Sequence, residues 1–142
     1  EIPADLERVG LPLRSPEVTA EIQKGADLMV ARARARAPVD RGNLRAGIYT
    51  ASALRDGFRP LQRKGKAINR GLRYPPRTGQ VLLVSSVFYS LFVERGRKRT
   101  SKAGYMKARP YFRSAVNESR ETAQAFMLVR ITKLIESKGG RK

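Results

Sequence analysis

Apolar positions recur along the chain with two different periods, and the change of period marks out the elements. Ile22, Ala26, Met29, Ala33 and Ala37 fall three or four residues apart, the stripe of an amphipathic helix. Ser15, Pro16 and Glu17 form its start: an N-cap hydroxyl, a proline at the first helical position and an acid in the first turn. Pro38 stops the pattern, so a helix is predicted from Pro16 until just before Pro38.

The end of that helix reads ARARARA, residues 31–37, and a strand would place its three arginines on one side. Alanine is a poor strand former and the upstream period is helical, so the helix is preferred. Arg32 and Arg36 then share a face and Arg34 points roughly the opposite way, all on the exterior. Their charge suits the negative end of the helix dipole.

In PVDRGNL, Asp40 and Gly42 are turn residues and Asn43 caps a short turn. Ile48, Thr50, Ser52 and Leu54 then alternate with Tyr49, Ala51 and Ala53, which predicts a strand reversed at Asp56 and Gly57. Val81 to Val84 is a short, continuous apolar run of the kind a buried strand shows. After Phe88 the pattern fits a helical turn, with Tyr89, Phe92 and Val93 inward and Glu94 outward. Pro110 fits the first turn of a last helix, in which Val116, Ala123, Met127, Ile131 and Leu134 form a stripe until Gly139 and Gly140. Tyr49, Phe88, Phe92 and Phe112 lie in or beside apolar elements and are read as core.

The segments between have no apolar period. Residues 58–79 carry Arg59, Arg63, Lys64, Lys66, Arg70, Arg73 and Arg77, and residues 95–109 carry Arg95, Arg97, Lys98, Arg99, Lys102, Lys107 and Arg109. Both are expected to be long basic loops. The predicted class is α+β: a small antiparallel sheet packed against a long N-terminal helix and a long C-terminal helix. One domain covers residues 1–142, with an N-terminal arm at 1–15 and a frayed tail at 139–142.

Composition sharpens this picture. A content of 41% hydrophobic and 30% charged residues is that of a chain with a packed core. Thirty Lys and Arg stand against 12 Asp and Glu, a net charge of +18. Between Phe58 and Arg109 there are 14 cations and one acid, Glu94, so +13 sits in this span alone. Such density opposes compaction unless an anionic surface lies near.

Neither cysteine nor histidine occurs, which removes thiolate nucleophiles, imidazole bases, disulfides and the usual zinc and iron sites. Asp40, Asp56 and Glu94 lie in three separate segments, where single acids near turns more often serve as caps than as a nuclease centre. RGLRYPPRTG lacks the Gly-Lys-Ser/Thr ending of a triphosphate loop. The chain is therefore read as a non-enzyme without cofactor or metal. No apolar run approaches the ~20 residues of a bilayer span, and the acidic start, EIPADLERVG, is unlike a secretory signal. Synthesis in the cytoplasm is expected.

Composition by itself leaves the two basic loops with two readings of equal weight. They contact phosphates, with Tyr74, Tyr89 or Tyr105 available for stacking, or they are a solvated surface neutralised by counterions.

Three phrases in order tip the balance: APVDRGNLRAGI at the end of an alanine-rich helix, then YSLFVERGRK, then ARPYFRSAV opening a long helix. Together they resemble the small head-tail connector family of long-tailed bacteriophages, the tail-completion or neck proteins, over roughly residues 18–125. Pro38, Val39, Asp40, Gly42 and Leu44 match the first phrase, Tyr89, Val93, Glu94 and Gly96 the second, and Pro110 and Phe112 the third. Arg41 and Arg97 replace the family's usual threonines, and Tyr111 is inserted between proline and aromatic.

The resemblance implies a structural virion subunit at the head-tail junction. Several copies, a hexamer or dodecamer, would form a ring between portal and tail tube around the DNA channel. Its partners would be further copies, other neck, portal-adaptor and tail-tube proteins, and double-stranded DNA bound without sequence preference. The expected contact residues are Arg63, Lys64, Lys66, Arg70, Arg73, Arg77, Arg97, Lys98, Arg99 and Lys102. Arg32, Arg34 and Arg36 are expected to face a neighbouring subunit instead. The competing class is a stand-alone, sequence-nonspecific nucleic-acid-binding protein of nucleoid or ribosomal type.

Overall fold

The computed structural model describes residues 14–100 and 104–139. The predicted arm up to residue 13, Lys102, and residues 140–142 of the predicted tail lie outside them. Helix α1 is Pro16–Arg36 and α4, the last helix, is Phe112–Gly139. Between them come a short helix α2, Asn43–Ala46, strands β1, Ile48–Ser52, β2, Gln62–Arg63, β3, Lys66–Ala67, and β4, Val81–Ser85, and helix α3, Ser90–Arg95. The α+β architecture is as predicted, with a small two-stranded antiparallel sheet, β1–β4, and two long helices; β2 and β3 form a second, separate pair. Among the described residues no helix is long and apolar enough to cross a membrane.

Ser15 caps α1, its hydroxyl accepting from the Val18 amide at 3.2 Å. Small residues let α1 and α4 approach closely: Ala26, Ala33 and Ala123 of the predicted stripes, joined by Gly25 and Ala115, all buried. A methyl group on Gly25 would overlap the Met127 side chain and lie 3.2 Å from the Ala123 carbonyl. Ion pairs flank this seam, joining Glu21 to Arg130 and Lys24, Glu17 to Lys138, and Glu118 to both Arg32 and Arg36.

That last pair corrects one expectation. Arg32 and Arg36 do lie on the exterior, but they reach across to α4 rather than outward. Arg34 turns its guanidinium onto the Ile48 carbonyl through two hydrogen bonds of 2.8 and 2.6 Å. The alternation of arginine and alanine therefore ties α1 to both of its neighbours.

β1 pairs antiparallel with β4, from Ile48 opposite Ser85 to Ser52 opposite Val81. The burial of the two strands inverts the expectation. The alternating strand, β1, is buried at all five positions, whereas the apolar run of β4 is only half-buried, with Leu82 40% exposed. Thr50 and Ser52 face α1, where Gln23, Asp27 and Arg55 satisfy them; the Thr50 hydroxyl donates to Asp27 at 2.8 Å. The other side of β1 is covered by the chain folding back, so that Tyr49 meets Phe58 edge-on at 6.2 Å. The Tyr49 hydroxyl is buried with no hydrogen-bond partner among the described residues.

Turns also differ in detail. The reversal after β1 falls at Ala53 and Leu54, where Ser52 and Arg55 exchange backbone hydrogen bonds of 2.8 and 3.3 Å. Asp56 and Gly57 come after it. Gly42, in the left-handed region at φ 72°, is the N-cap of α2, and Asn43 is its first residue rather than its cap. Pro110 stands outside α4, two residues before its first.

The core gathers Val30, Ala33, Ala37, Leu44, Ile48, Val87, Tyr111 and Ala115. Tyr89, Val93 and Phe112 pack against it, as predicted for those three. Phe88 and Phe92 do not: they are 50% and 42% exposed. On so short a helix only one face can point inward, and Tyr89 and Val93, four residues apart, occupy it.

Candidate functional site

The one acid of the basic span is consumed within the fold. Glu94, expected outward, is partly buried, and its carboxylate accepts from the amides of Tyr111, Phe112 and Arg113 at 2.9, 3.0 and 2.9 Å. It satisfies the orphan donors at the start of α4 and sits at the positive end of that helix dipole. Among the described residues, none of the cations from Arg59 to Arg109 pairs with a carboxylate; the ion pairs lie elsewhere.

Asn69, 4% exposed, organises the first loop. Its side-chain oxygen accepts from the Leu61 amide at 2.8 Å, and its nitrogen donates to the Arg59 carbonyl at 2.8 Å and the Ser86 hydroxyl at 3.1 Å. This fold-back creates a hairpin that the pattern did not reveal, β2 paired with β3. Lys64 and Gly65 form its turn at φ 49° and 71°, both left-handed as a two-residue hairpin turn requires. Arg63, Lys64 and Lys66 are thereby presented together on an exposed tip.

Arg97 and Met106 close the second loop, exchanging backbone hydrogen bonds of 2.8 and 2.9 Å. Gly96 makes this possible. At φ 75° and ψ 176° it occupies backbone space nearly reserved for glycine, and a Cβ there would lie 2.8 Å from backbone atoms of Met106 and Ala108. Lys98 and Arg99 are exposed beyond the closure.

Where the two loops meet α2 lies a cleft of about 550 Å³. Pro38, Asp40, Gly42 and Leu44 of the first phrase form part of its wall, with Tyr89 and Val93 of the second. Arg41, Arg63, Lys107 and Arg109 surround them, with Tyr105 and Met106. Four cations thus face one carboxylate, Asp40. Of the other residues of the three phrases, Glu94, Gly96 and Phe112 build the frame instead of lining the cleft, and Pro110 is exposed.

The remaining predicted contacts are not brought together. Arg70, Arg73 and Arg97 lie over the rings of Phe88, Tyr74 and Phe92 at 5.2, 5.4 and 5.6 Å, within the range of cation–π attraction. Arg77 lies far from the cleft. The Gly79 amide donates to the Thr19 hydroxyl at 2.8 Å, which ties that part of the loop near the start of α1, roughly 28 Å along the axis from Pro38. The basic span is therefore spread out along the length of α1 and gathered only at the cleft and the hairpin tip.

A second hollow, about 440 Å³, lies between α1 and the return after β1 and is lined by Asp27, Arg34, Tyr49, Arg55, Asp56 and Arg59. Arg55 pairs with Asp27 at 2.5 Å, and Asp56 accepts the Phe58 amide at 2.9 Å. Burial, reinforced by the Asp56 charge, pushes the Tyr49 phenol above its usual range. Tyr111 is also pushed up by burial, although its hydroxyl shares a 2.9 Å hydrogen bond with Ser85. Asp40, Asp56 and Glu94 occupy three separate places, and no cluster of three metal-binding side chains occurs among the described residues.

No family model, curated protein or solved structure matches this chain. Sequence reasoning missed Arg41, Lys107 and Arg109 as companions of Arg63, and Asn69 as the organiser of the loop. A lone asparagine before a basic stretch carries no local signal, because its partners are supplied by Arg59, Leu61 and Ser86.

Proposed function

We propose that the chain is a structural subunit of the neck of a long-tailed bacteriophage virion, one of several identical copies in a ring between portal and tail tube. In this reading the cleft and hairpin tip face the genome channel and hold DNA phosphates without reading base sequence. One observation carries it: among the described residues the cations from Arg59 to Arg109 have no carboxylate partner, while the single acid within that span is committed to capping α4. A duplex with one charge per ~1.7 Å of axis supplies the missing anion. The gathering of Pro38, Asp40, Gly42, Leu44 and Tyr89 around the same cations supports placing function at this cleft.

Salt titration of binding to duplexes of unrelated sequence tests the contact, and negative-stain images of the pure protein test the ring. Expected are rings, and a log–log salt slope near −3 for roughly three phosphate contacts per subunit. Binding that ignores salt would remove the phosphate role. A monomer coating DNA or RNA would favour the stand-alone nucleic-acid-binding protein.

A further inference from the structure

Two unlike surface stripes stand without a partner among the described residues. On α4, the side turned away from α1 carries Glu121, Ala125, Leu128, Val129, Thr132 and Glu136, all exposed and at helical spacings. Leu128 and Val129 are 48% and 54% exposed, whereas Ala115, Ala123 and Ile131 of the same helix are buried. Glu17, Glu21, Asp27 and Glu118 all pair with cations, but Glu121 and Glu136 pair with none among the described residues. This stripe has an apolar centre and a carboxylate at each end, an unusual outward face for a surface helix.

The other stripe surrounds α3. Phe88, Leu91, Phe92 and Arg95 follow at spacings of three, one and three, and the three apolar members are 50%, 53% and 42% exposed. The Arg70 and Arg97 guanidinium groups lie over the two rings. Here the apolar centre is rimmed by cations.

We propose that the α4 stripe of one copy binds the α3 stripe of the next. Within one chain they cannot meet, because Glu94 holds the start of α4 beside α3 and Leu128 lies 16 residues further on, about 24 Å along the axis. The occupant is a second copy because each stripe supplies what the other lacks: apolar centre against apolar centre, and Glu121 and Glu136 against Arg95, Arg70 and Arg97. Since the two surfaces differ, the contact is head-to-tail and closes into a ring when the rotation per copy permits. This inference rests on the ring reading above and supplies its contact surface.

The chain has no cysteine, so site-directed cross-linking gives a clean test. The Leu91→Cys/Leu128→Cys double variant, treated with a short bismaleimide, should give a ladder of covalent multimers on a denaturing gel. Each single variant should stay monomeric. No ladder, or equal dimers from either single variant, overturns the interface. Native mass spectrometry of the unmodified protein separates the failures: rings without a ladder remove this interface alone, and monomers remove the ring reading with it. Independently, Leu128→Asp should raise the concentration for half-assembly at least about tenfold, as loss of an interface anchor does, with an unchanged circular dichroism spectrum. Unchanged assembly of that variant also overturns the interface.

Discussion

The carboxylate of Glu94 accepts a hydrogen bond from the Tyr111 amide at 2.9 Å, 17 positions further along the chain, linking the end of α3 to the start of α4 across the second basic loop. With the two amides that follow, it makes a negative cap supplied from elsewhere in the chain. Glu94→Ala should cost about 2 kcal/mol of stability in urea unfolding, the upper range for loss of a cap. Glu94→Gln should cost about half as much, since it keeps an acceptor but loses the charge. Neither should weaken DNA binding; a loss of affinity in the folded Gln variant would mean the carboxylate serves the site directly.

Two glycines with positive φ should respond differently to the same change. A methyl at Gly42 meets no atom within 4 Å, so Gly42→Ala should cost only about 1–2 kcal/mol of backbone strain. Gly96→Ala adds a backbone collision to a conformation alanine avoids and should cost at least about 3 kcal/mol. Thermal unfolding of both variants checks the ranking.

Arginines in α1 and cations at the hairpin tip should separate stability from binding. Replacing Arg63, Lys64 and Lys66 with glutamine should reduce the salt slope of DNA binding by about 2–3 and leave the melting temperature nearly unchanged. Replacing Arg32, Arg34 and Arg36 should cost about 1–2 kcal/mol, because exposed ion pairs contribute little and the Arg34 hydrogen bonds somewhat more. DNA affinity should be less affected than in the hairpin variant. The reverse ranking would move the binding surface to α1.

Glu21 sets an acid limit. Burial pushes its carboxyl up, but hydrogen bonds and charge from Arg130 and Lys24 outweigh this and hold it below its ordinary value of 4.5. A carboxyl more acidic in the folded than in the unfolded chain stabilises above pH 4.5 and loses that contribution as pH falls through the lower folded value. Glu21→Gln should therefore be less stable than the parent at pH 7, with the gap narrowing below pH 4.5. A gap constant from pH 7 to pH 3 would show that the ion pair contributes nothing.

Tyr49 carries a buried hydroxyl without a partner among the described residues. Tyr49→Phe should raise stability by up to about 1 kcal/mol, since an unsatisfied buried hydroxyl costs on that order. A clear drop in melting temperature would show that the hydroxyl is hydrogen-bonded in solution.

Some of this was legible along the chain. Helix spans, the β1–β4 pair and the concentration of charge between Phe58 and Arg109 follow from local chemistry. A period of three and four, or of two, reports which residues share a face without reference to anything distant. Ser15 and Pro16 announced the start of α1 because capping involves only adjacent residues.

Burial was decided elsewhere. β1 alternates yet is covered on both sides, because α1 packs on one and Phe58 returns over the other, while the more apolar β4 remains half-open. Phe88 and Phe92 point outward because α3 has a single inner face, already filled by Tyr89 and Val93. Arg34, Glu94 and Asn69 each bond to groups at least eight residues away, beyond the reach of any periodic pattern. The cleft that assembles Asp40, Arg63, Tyr89 and Arg109 exists only once the loops are folded. Sequence alone determined the two long helices, the strands β1 and β4 and where the positive charge concentrates, since these depend on residue type and short spacing. Tertiary structure alone decided which surfaces are left for a partner to meet, because exposure depends on every segment packed nearby.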